Sequence, residues 1–178
     1  MSNPYASPEQ QNESQAHQPR DVLQQSVRQL QVITGALVTG ATTTFGLMLF
    51  LNGKLDGKPD ITTWIGIGMA VFMFVNHLVI PGFLINVQLS ALNSEILTDS
   101  TDDEKVTAVL GPLRTGHIVG CAMLEGAAVM NAVLYMVNDC LINLIAAAVF
   151  IVLLLLKMPT TFGMQSKVAD RLREIEMR

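Results

Sequence analysis

Residues 118–156 read IVGCAMLEGAAVMNAVLYMV-NDC-LINLIAAAVFIVLLLL, two apolar runs separated by three residues. The runs cover residues 118–137 and 141–156, which are 20 and 16 residues long. A helix that crosses a hydrocarbon core of ~30 Å needs about 20 apolar residues, so both runs have roughly the length of a membrane span. The run 141–156 is slightly short for a span, and Lys157 can extend it by reaching to the interface. The short connection predicts an antiparallel helical hairpin.

Two further apolar runs precede this hairpin. Residues 33–51 and 64–85 contain no Asp, Glu, Lys or Arg, and a polar loop that begins at Asn52-Gly53 separates them. Trp64 stands at the start of the run 64–85, where an aromatic ring suits a membrane interface. In chain order, 33–51, 64–85, 118–137 and 141–156 are the first to fourth runs. The sequence therefore predicts an all-α fold: a polytopic membrane protein with a four-transmembrane-helix bundle in residues 21–158.

The remaining segments are polar. Residues 1–20 are rich in Gln, Asn, Ser and Pro and are predicted to be disordered. In the polar connection 86–114, Thr101–Glu104 predicts a capping box that opens a short amphipathic helix, which Gly111-Pro112 ends. Residues 159–178 form an amphipathic cytoplasmic tail, predicted to lie on anionic lipid or to bind a partner. Its apolar residues recur on one helical face: Met164, Val168, Leu172 and Ile175.

Composition and charge support a membrane location. Half of the 178 residues are hydrophobic and 15% are charged, against roughly 25% in a typical soluble domain. The net charge is -4 and the basic residues are scattered, so no nucleic-acid partner is expected. Nine of the 11 lysines and arginines lie on the side that holds both termini, and only Lys54 and Lys58 lie on the other. This asymmetry predicts a multi-pass protein of the plasma (cytoplasmic or inner) membrane with both termini in the cytoplasm.

Glu125 is the main candidate for a functional residue, because it lies near the middle of the third run. An intramembrane carboxyl is costly and faces a bundle interior or a water path. It either binds and releases a proton or cation, or stays protonated and fastens two helices by a hydrogen bond. His77 lies at a matching depth in the second run and can contact Glu125 if the helices are neighbours, or make one interhelical hydrogen bond instead. Asn131 is the third candidate for proton or ion binding.

A metal site is a weaker hypothesis. His117, Cys121 and Glu125 recur at i, i+4 and i+8 on one helical face, with His77 on the preceding run. These side chains suit zinc, copper or iron, but eight residues of helix span about 12 Å, too far for one ion to bind all three. No metal and no cofactor is favoured, and a haem held by His77 and His117 lacks a supporting motif.

Small residues mark faces on which helices can pack closely, within one protomer or between protomers. Four asparagines are expected to add hydrogen bonds between helices: Asn76, Asn86, Asn131 and Asn143. The principal small residues are Gly35, Thr39, Gly46, Gly116, Gly120 and Gly126.

The segment RTGHIVGCAMLEGA, Arg114–Ala127, resembles the carboxylate-bearing helix of rotary ATP synthase c subunits (proteolipids). That helix begins with a basic residue and has an Ala-Leu-x-Glu-Ala-like core. The resemblance covers about 20 residues, implies that Glu125 carries the ion and implies that the 86–114 connection is cytoplasmic. The partner helix of that family is rich in glycine, and here it holds only Gly66-Ile-Gly68. The whole chain looks more like small uncharacterised four-span bacterial membrane proteins with an Ala-x-x-Glu-Gly-Ala stretch.

Three functions remain open from the sequence. The first is a non-enzymatic membrane protein that acts by helix packing and by association with lipid or a partner, as a scaffold, an accessory subunit or a homo-oligomer. The second is a small proton- or cation-coupled transport component that uses Glu125. The third is a metal- or haem-binding membrane protein. An enzyme is not expected, because the sequence has no phosphate-binding glycine loop, Ser/His/Asp set, HExxH or CxxC motif.

Overall fold

Helices account for nearly all of the described chain. The structure is a computed structural model that describes residues 8–91 and 101–177, and within these residues the chain forms five α-helices. They are α1 (Pro8–Asn52), α2 (Ile61–Ser90), α3 (Asp102–Asn138), α4 (Leu141–Leu156) and α5 (Thr161–Glu176). The predicted all-α class is confirmed, and α4 has the bounds of the predicted run 141–156.

Three segments are long and apolar enough to cross a membrane: Val22–Asn52, Ile61–Ser90 and Glu104–Asn138. α4 has 16 residues and is bent by 72° from Thr161–Glu174; if this bent pair is one span, there are four candidates. The predicted spans in the first, second and third runs lie inside the three long segments. By length and composition, the structure therefore supports three to four spans.

The central helix is α3, which packs against α1, α2 and α4. Small side chains allow helix axes to approach closely, and close approach increases the dispersion contacts that hold helices together where lipid replaces water. The core between the four helices consists of Ala41, Ala70, Cys121, Leu124, Ala127, Ala128, Phe150, Ile151 and Leu154.

A second core lies where α5 folds back onto the bundle. The tail residues Met164 and Val168 are each 5% exposed. They pack against α1 and α3 residues that lie beyond the most apolar stretches: Leu23, Val27, Leu30, Val109, Leu110 and Leu113. The buried part of the tail's apolar stripe is therefore covered by the chain itself, not by the lipid surface or partner that the sequence predicted. The reason is that α1 and α3 also present apolar faces there, and the three faces bury one another.

The helix α3 continues through Gly111-Pro112, so the predicted helix end at this pair is wrong. Proline inside a helix removes one backbone hydrogen bond, but tertiary packing can override that cost. Leu110 and Leu113, on either side of the pair, are both buried in the second core. The start of α3 follows the prediction, because the Glu104 carboxylate accepts a hydrogen bond from the Thr101 backbone N–H at 2.9 Å.

The first helix is longer than predicted, because it begins at Pro8. The structure thus places residues 8–20 in a helix where the sequence predicted disorder, and residues 1–7 of that prediction lie outside the described residues. Proline suits a first helical turn, where its missing N–H has no intrahelical partner anyway. The Gln and Glu residues that follow are compatible with a helix.

At one end of the bundle, the loop between α1 and α2 is fastened to the turn between α3 and α4. The buried Tyr135 donates its hydroxyl hydrogen to the Lys54 carbonyl at 2.6 Å. The Gly57 N–H donates to the Asp139 carbonyl at 3.2 Å. Asp139 itself has a left-handed φ of 54°, which ends α3 and reverses the chain. We call residues 52–63 and 135–140 the hairpin end, and the opposite end, where α5 packs, the tail end.

Candidate functional site

A cavity of about 380 Å³ lies at the tail end, between α2, α3 and the bend from α4 to α5. Its size falls in the range of small-molecule sites, about 300–1,000 Å³. Part of its wall is apolar and includes Leu78, Ile85, Leu113 and Met164. Other lining residues are polar or charged: His77, His117, Cys121, Lys157, Lys167, Asp170 and Arg171. The cavity is thus lined by both apolar and charged side chains, and most of the charges are cationic.

Two glycines let α2 and α3 approach each other beside this cavity. A Cβ on Gly116 would lie 2.6 Å from Ile85 Cδ1 and 3.2 Å from the Pro81 carbonyl oxygen. A Cβ on Gly120 would lie 3.3 Å from the His77 ring. Both glycines therefore lie in the contact between α2 and α3, where a larger side chain would push the helices apart.

His77 is 7% exposed, and its ring faces α3. Its Nδ1 lies 2.9 Å from the Gly120 carbonyl oxygen. A carbonyl only accepts, so Nδ1 carries the hydrogen and Nε2 is free to accept in the neutral ring. The ring also stacks on Phe74, with 6.5 Å between ring centroids. His77 therefore makes the interhelical hydrogen bond that was one of its two predicted roles.

The predicted contact between His77 and Glu125 is not formed. His77 faces Gly120, five residues before Glu125, and five residues of α-helix turn the side chain direction by about 140°. Glu125 instead faces α1, where a Cβ on Gly40 would lie 3.3 Å from Glu125 Oε1. The two side chains therefore lie on different sides of α3.

His117 connects α3 to α1. Its Nε2 lies 3.1 Å from Thr34 Oγ1 and 3.5 Å from Cys121 Sγ. Thr34 is 1% exposed, so this polar contact is inside the protein. Across the part of the chain that the structure describes, no three His, Cys, Asp or Glu side chains converge as a metal-ligand set. His117 and Cys121 are close, and Glu125 is not part of their group.

A buried amide pair lies nearer the hairpin end. Asn131 and Asn143 are both fully buried. Asn131 donates to the Ala127 carbonyl at 2.9 Å and lies 3.5 Å from the Gly66 carbonyl on α2. Asn131 Oδ1 and both polar atoms of Asn143 have no hydrogen-bond partner among the described residues. The pair therefore joins α2, α3 and α4 at one polar point, and Asn131 lies there rather than beside Glu125.

The other predicted packing residues lie in open positions. A Cβ on Gly35, Gly46 or Gly126 would meet no heavy atom within 4 Å. Thr39 is exposed and bonds to the Gly35 carbonyl of its own helix at 2.8 Å. Asn76 likewise bonds to the Phe72 carbonyl within α2, at 2.8 Å, and not across helices. These faces are free for contact with another molecule or with lipid.

The cationic residues of the cavity are the part of the site that the sequence did not predict. Lys157 follows α4, whereas Lys167 and Arg171 lie one turn apart on α5. Arg171 forms an ion pair with Glu174 at 2.6 Å. Lys157 and Lys167 form no ion pair with any described residue. Their basic character was visible in the sequence, but their meeting point depends on the 72° bend between α4 and α5.

Comparison of the chain with protein-family models, with curated proteins and with solved structures finds no match.

Proposed function

We propose that this chain is a multi-span integral membrane protein that acts by association with lipid or with partner proteins, and not by catalysis. The observation that supports this proposal is the exposed face of α2. Trp64 is 65% exposed and Phe83 is 64% exposed, with further large apolar side chains exposed between them. The 20 residues from Trp64 to Phe83 extend about 28 Å along a helix, close to the ~30 Å thickness of a hydrocarbon core.

An apolar face of that length is stable only in contact with lipid or with another apolar surface. Soluble monomers rarely expose a contiguous apolar patch larger than a few hundred Å², because its hydration is unfavourable. In this proposal lipid covers the face of α2. The open positions at Gly35 and Gly126 supply surfaces on which a second copy or another membrane protein can pack. The proposal assigns no reaction, no metal and no cofactor to the chain.

The proposed orientation places the chain in a plasma (cytoplasmic or inner) membrane with both termini in the cytoplasm, and it is testable with introduced cysteines. The native Cys121 and Cys140 are 2% and 1% exposed, so they give little background labelling. Lys58 and Arg173 are exposed at opposite ends. We expect Lys58→Cys to react with an impermeant maleimide in intact cells, and Arg173→Cys to react only after permeabilisation.

The labelling pattern separates the alternatives. The reverse pattern would overturn the orientation but keep the spans. Labelling of both cysteines in intact cells would contradict a closed membrane barrier between the two ends. Release of the wild-type protein from membranes by alkaline carbonate would contradict integration itself, because a spanning helix resists extraction whereas a surface-bound chain does not.

A second candidate function, ion or proton coupling by Glu125, is supported by the environment of that side chain. Glu125 is partly buried between α3 and α1, and none of the described residues hydrogen-bonds to it. An intramembrane carboxyl without a fixed partner is free to exchange a proton or cation. In this proposal the c-subunit resemblance is a local similarity of one helix.

Carbodiimide labelling tests this candidate, since the reagent modifies a protonated carboxyl in an apolar site. We expect mass spectrometry to detect labelling of the wild-type protein and no labelling of Glu125→Gln. The control Glu104→Gln, which changes an exposed carboxyl at the start of α3, should be labelled as the wild type is. An unreactive Glu125 across the whole pH range would overturn the candidate. If Glu125→Gln also abolished folding of the protein, the carboxyl would have a structural role, and ion coupling would again lose its support.

A further inference from the structure

We propose that the tail-end cavity binds the phosphate head of an anionic phospholipid, with Lys157 and Lys167 as its cationic contacts. This inference rests on the proposed function, because it requires the chain to be in a bilayer. It goes further by naming one ligand class and one site.

Charge is the first argument. The cavity lining holds three cationic side chains, Lys157, Lys167 and Arg171, against one carboxylate, Asp170. Arg171 is already paired with Glu174. The two lysines have no ion-pair partner among the described residues, so their charges are free for an incoming anion. Cationic side chains in a recess between helices attract anionic head groups, and lysine binds phosphate as a point charge.

The shape of the cavity selects an amphiphile over a free anion. Apolar side chains, including Leu78 and Ile85, form part of the cavity wall. Leu78 lines the cavity and is also 63% exposed, so the cavity is continuous with the apolar outer face of α2. A free phosphate would leave that wall without a contact. An acyl chain can follow it from the cavity onto α2 while its phosphate stays beside the lysines.

The position of the cationic residues along the bundle fits a lipid head. Lys157 directly follows α4, in which 15 of the 16 residues are apolar, and Leu156 before it is exposed. Lysine at a helix end places its ammonium at head-group level while its methylene groups stay in the apolar layer. Lys167 reaches the same cavity from α5 because the bend after Lys157 turns α5 across the end of the bundle. The two ammonium groups therefore approach one head group from two helices.

Native mass spectrometry of the full chain in a non-ionic detergent tests this proposal. The probes are dioleoyl phosphatidylglycerol and dioleoyl phosphatidylcholine, which share acyl chains and differ in net charge. We expect wild type to retain one phosphatidylglycerol with clear preference over phosphatidylcholine. The double variant Lys157→Gln with Lys167→Gln should bind phosphatidylglycerol roughly 30-fold more weakly, since each lysine near an anionic head group strengthens binding by roughly a factor of five.

Matched variants separate this site from general surface charge. Lys54→Gln with Lys58→Gln removes the same charge at the hairpin end, and Arg173→Gln removes one charge from α5 outside the cavity lining. Both should bind phosphatidylglycerol as wild type does. Lys157→Arg with Lys167→Arg should retain binding and shows that the Gln variant loses charge and not fold. Equal losses in the Gln variant and in the hairpin-end control would overturn the site.

Inorganic phosphate provides the remaining arm of the experiment. We expect millimolar sodium phosphate to leave phosphatidylglycerol binding unchanged, because it cannot use the apolar wall. If phosphate binds with the same lysine dependence while phosphatidylglycerol shows no preference over phosphatidylcholine, the ligand is a soluble anion and the lipid assignment is wrong. Failure of the broader function is a separate result, because it is read from carbonate extraction and not from lipid retention.

Discussion

The two ends of the bundle differ in the polar groups that they bring together. At the hairpin end, the chain's own groups satisfy the loops, as in the bonds from Tyr135 to Lys54 and from Gly57 to Asp139. At the tail end, polar and charged side chains surround a cavity, and Lys157 and Lys167 have no ion-pair partner among the described residues. Loop backbone groups must be paired or hydrated wherever they occur, so the bonds at the hairpin end are what a stable connection requires.

This contrast indicates that the hairpin end contributes to stability and that the tail end contributes to ligand binding. A region whose hydrogen-bonding groups pair with one another has little left to offer a ligand, and it holds the ends of α1 to α4 in register. At the tail end, the cavity is lined by lysines that have no ion-pair partner among the described residues. These lysines can bind an anion, which is the basis for the proposed lipid site. Mutations at the two ends should therefore have different effects: changes at the hairpin end should alter stability, and changes to the cavity lysines should alter lipid binding.

The largest expected effect tests whether the tail end is held by the packing of α5. Met164→Ala removes a side chain that is 5% exposed in the second core. Truncation of a buried Met to Ala costs about 2–5 kcal/mol, because contacts are lost and a cavity remains. We expect the amides of α5 to exchange faster with deuterium and the tail to be cut sooner by protease, while the hairpin end keeps its protection.

A neighbouring residue supplies the control for this change. Phe162 lies in the first turn of the same helix and is 82% exposed, so Phe162→Ala removes no internal contact. It should leave deuterium exchange in α5 as in wild type. Equal acceleration by the two variants would show that α5 is held by lipid or detergent, and the recess formed by its docking would then have no support.

The next effect concerns the close approach at the hairpin end. A Cβ on Gly57 would collide with the Asn138 carbonyl oxygen and would lie 2.6 Å from the carbonyl carbon of Asp139. These are backbone atoms, so relief requires a shift of the loop, and overpacking of this kind costs about 1–3 kcal/mol. We expect Gly57→Ala to lower the thermal unfolding midpoint of the protein in detergent.

Gly46 gives the matched substitution for that measurement. It lies inside α1, where an added Cβ would meet no heavy atom within 4 Å. Gly46→Ala should leave the midpoint unchanged or raise it, since alanine favours a helix by about 1 kcal/mol relative to glycine. A Gly57→Ala protein as stable as Gly46→Ala would mean that the hairpin end is loosely packed, and the contrast between the ends would fail.

Much of the fold follows from apolar run length. The bounds of α4 were predicted correctly, because a run of 16 residues between Cys140 and Lys157, all apolar except Asn143, leaves few alternatives. The predicted three-residue turn before it has two residues outside the helices, since Asn138 is the last residue of α3. The end predicted at Gly111-Pro112 was wrong for the opposite reason. Local breaker signals there compete with the burial of Leu110 and Leu113, and that burial depends on α5, which is distant in sequence.

The site was less predictable than the fold. Helical spacing gave His77 and Glu125 matching depths, but it did not fix the side of α3 that faces α2, so it left a contact with Glu125 and a single interhelical hydrogen bond as alternatives for His77. Packing decided between them, since Gly116 and Gly120 lie in a close contact with α2 that places His77 against Gly120. The meeting of Lys157 with Lys167 required the bend between α4 and α5, for which no local sequence signal was recognised.

The smallest expected effect is a pH dependence at the hairpin end. The Asp60 carboxylate caps α2: it accepts hydrogen bonds from the Thr62 hydroxyl at 2.6 Å and from the Thr63 N–H at 3.0 Å. These bonds, the Thr62 hydroxyl first, lower the pKa of Asp60 from its ordinary 3.8 to about 2. Hydrogen bonds to the charged form stabilise it in the folded state, and the group lies in solvent, so the stabilisation is small.

The sign of the effect follows from that lowered pKa. The stabilisation by the Asp60 carboxylate is complete above about pH 4, where the unfolded chain is also ionised, and it is lost as pH falls through about 2. The difference in unfolding midpoint between wild type and Asp60→Asn should therefore be constant from neutral pH down to about pH 4 and then shrink towards pH 2. Asp56→Asn makes the same charge change in the same loop without removing a helix cap, and it serves as the control for loop charge. A difference between wild type and Asp60→Asn that stays constant down to pH 2 would mean that the amide caps α2 as well as the carboxylate does, and charge would then contribute nothing to closing the hairpin end.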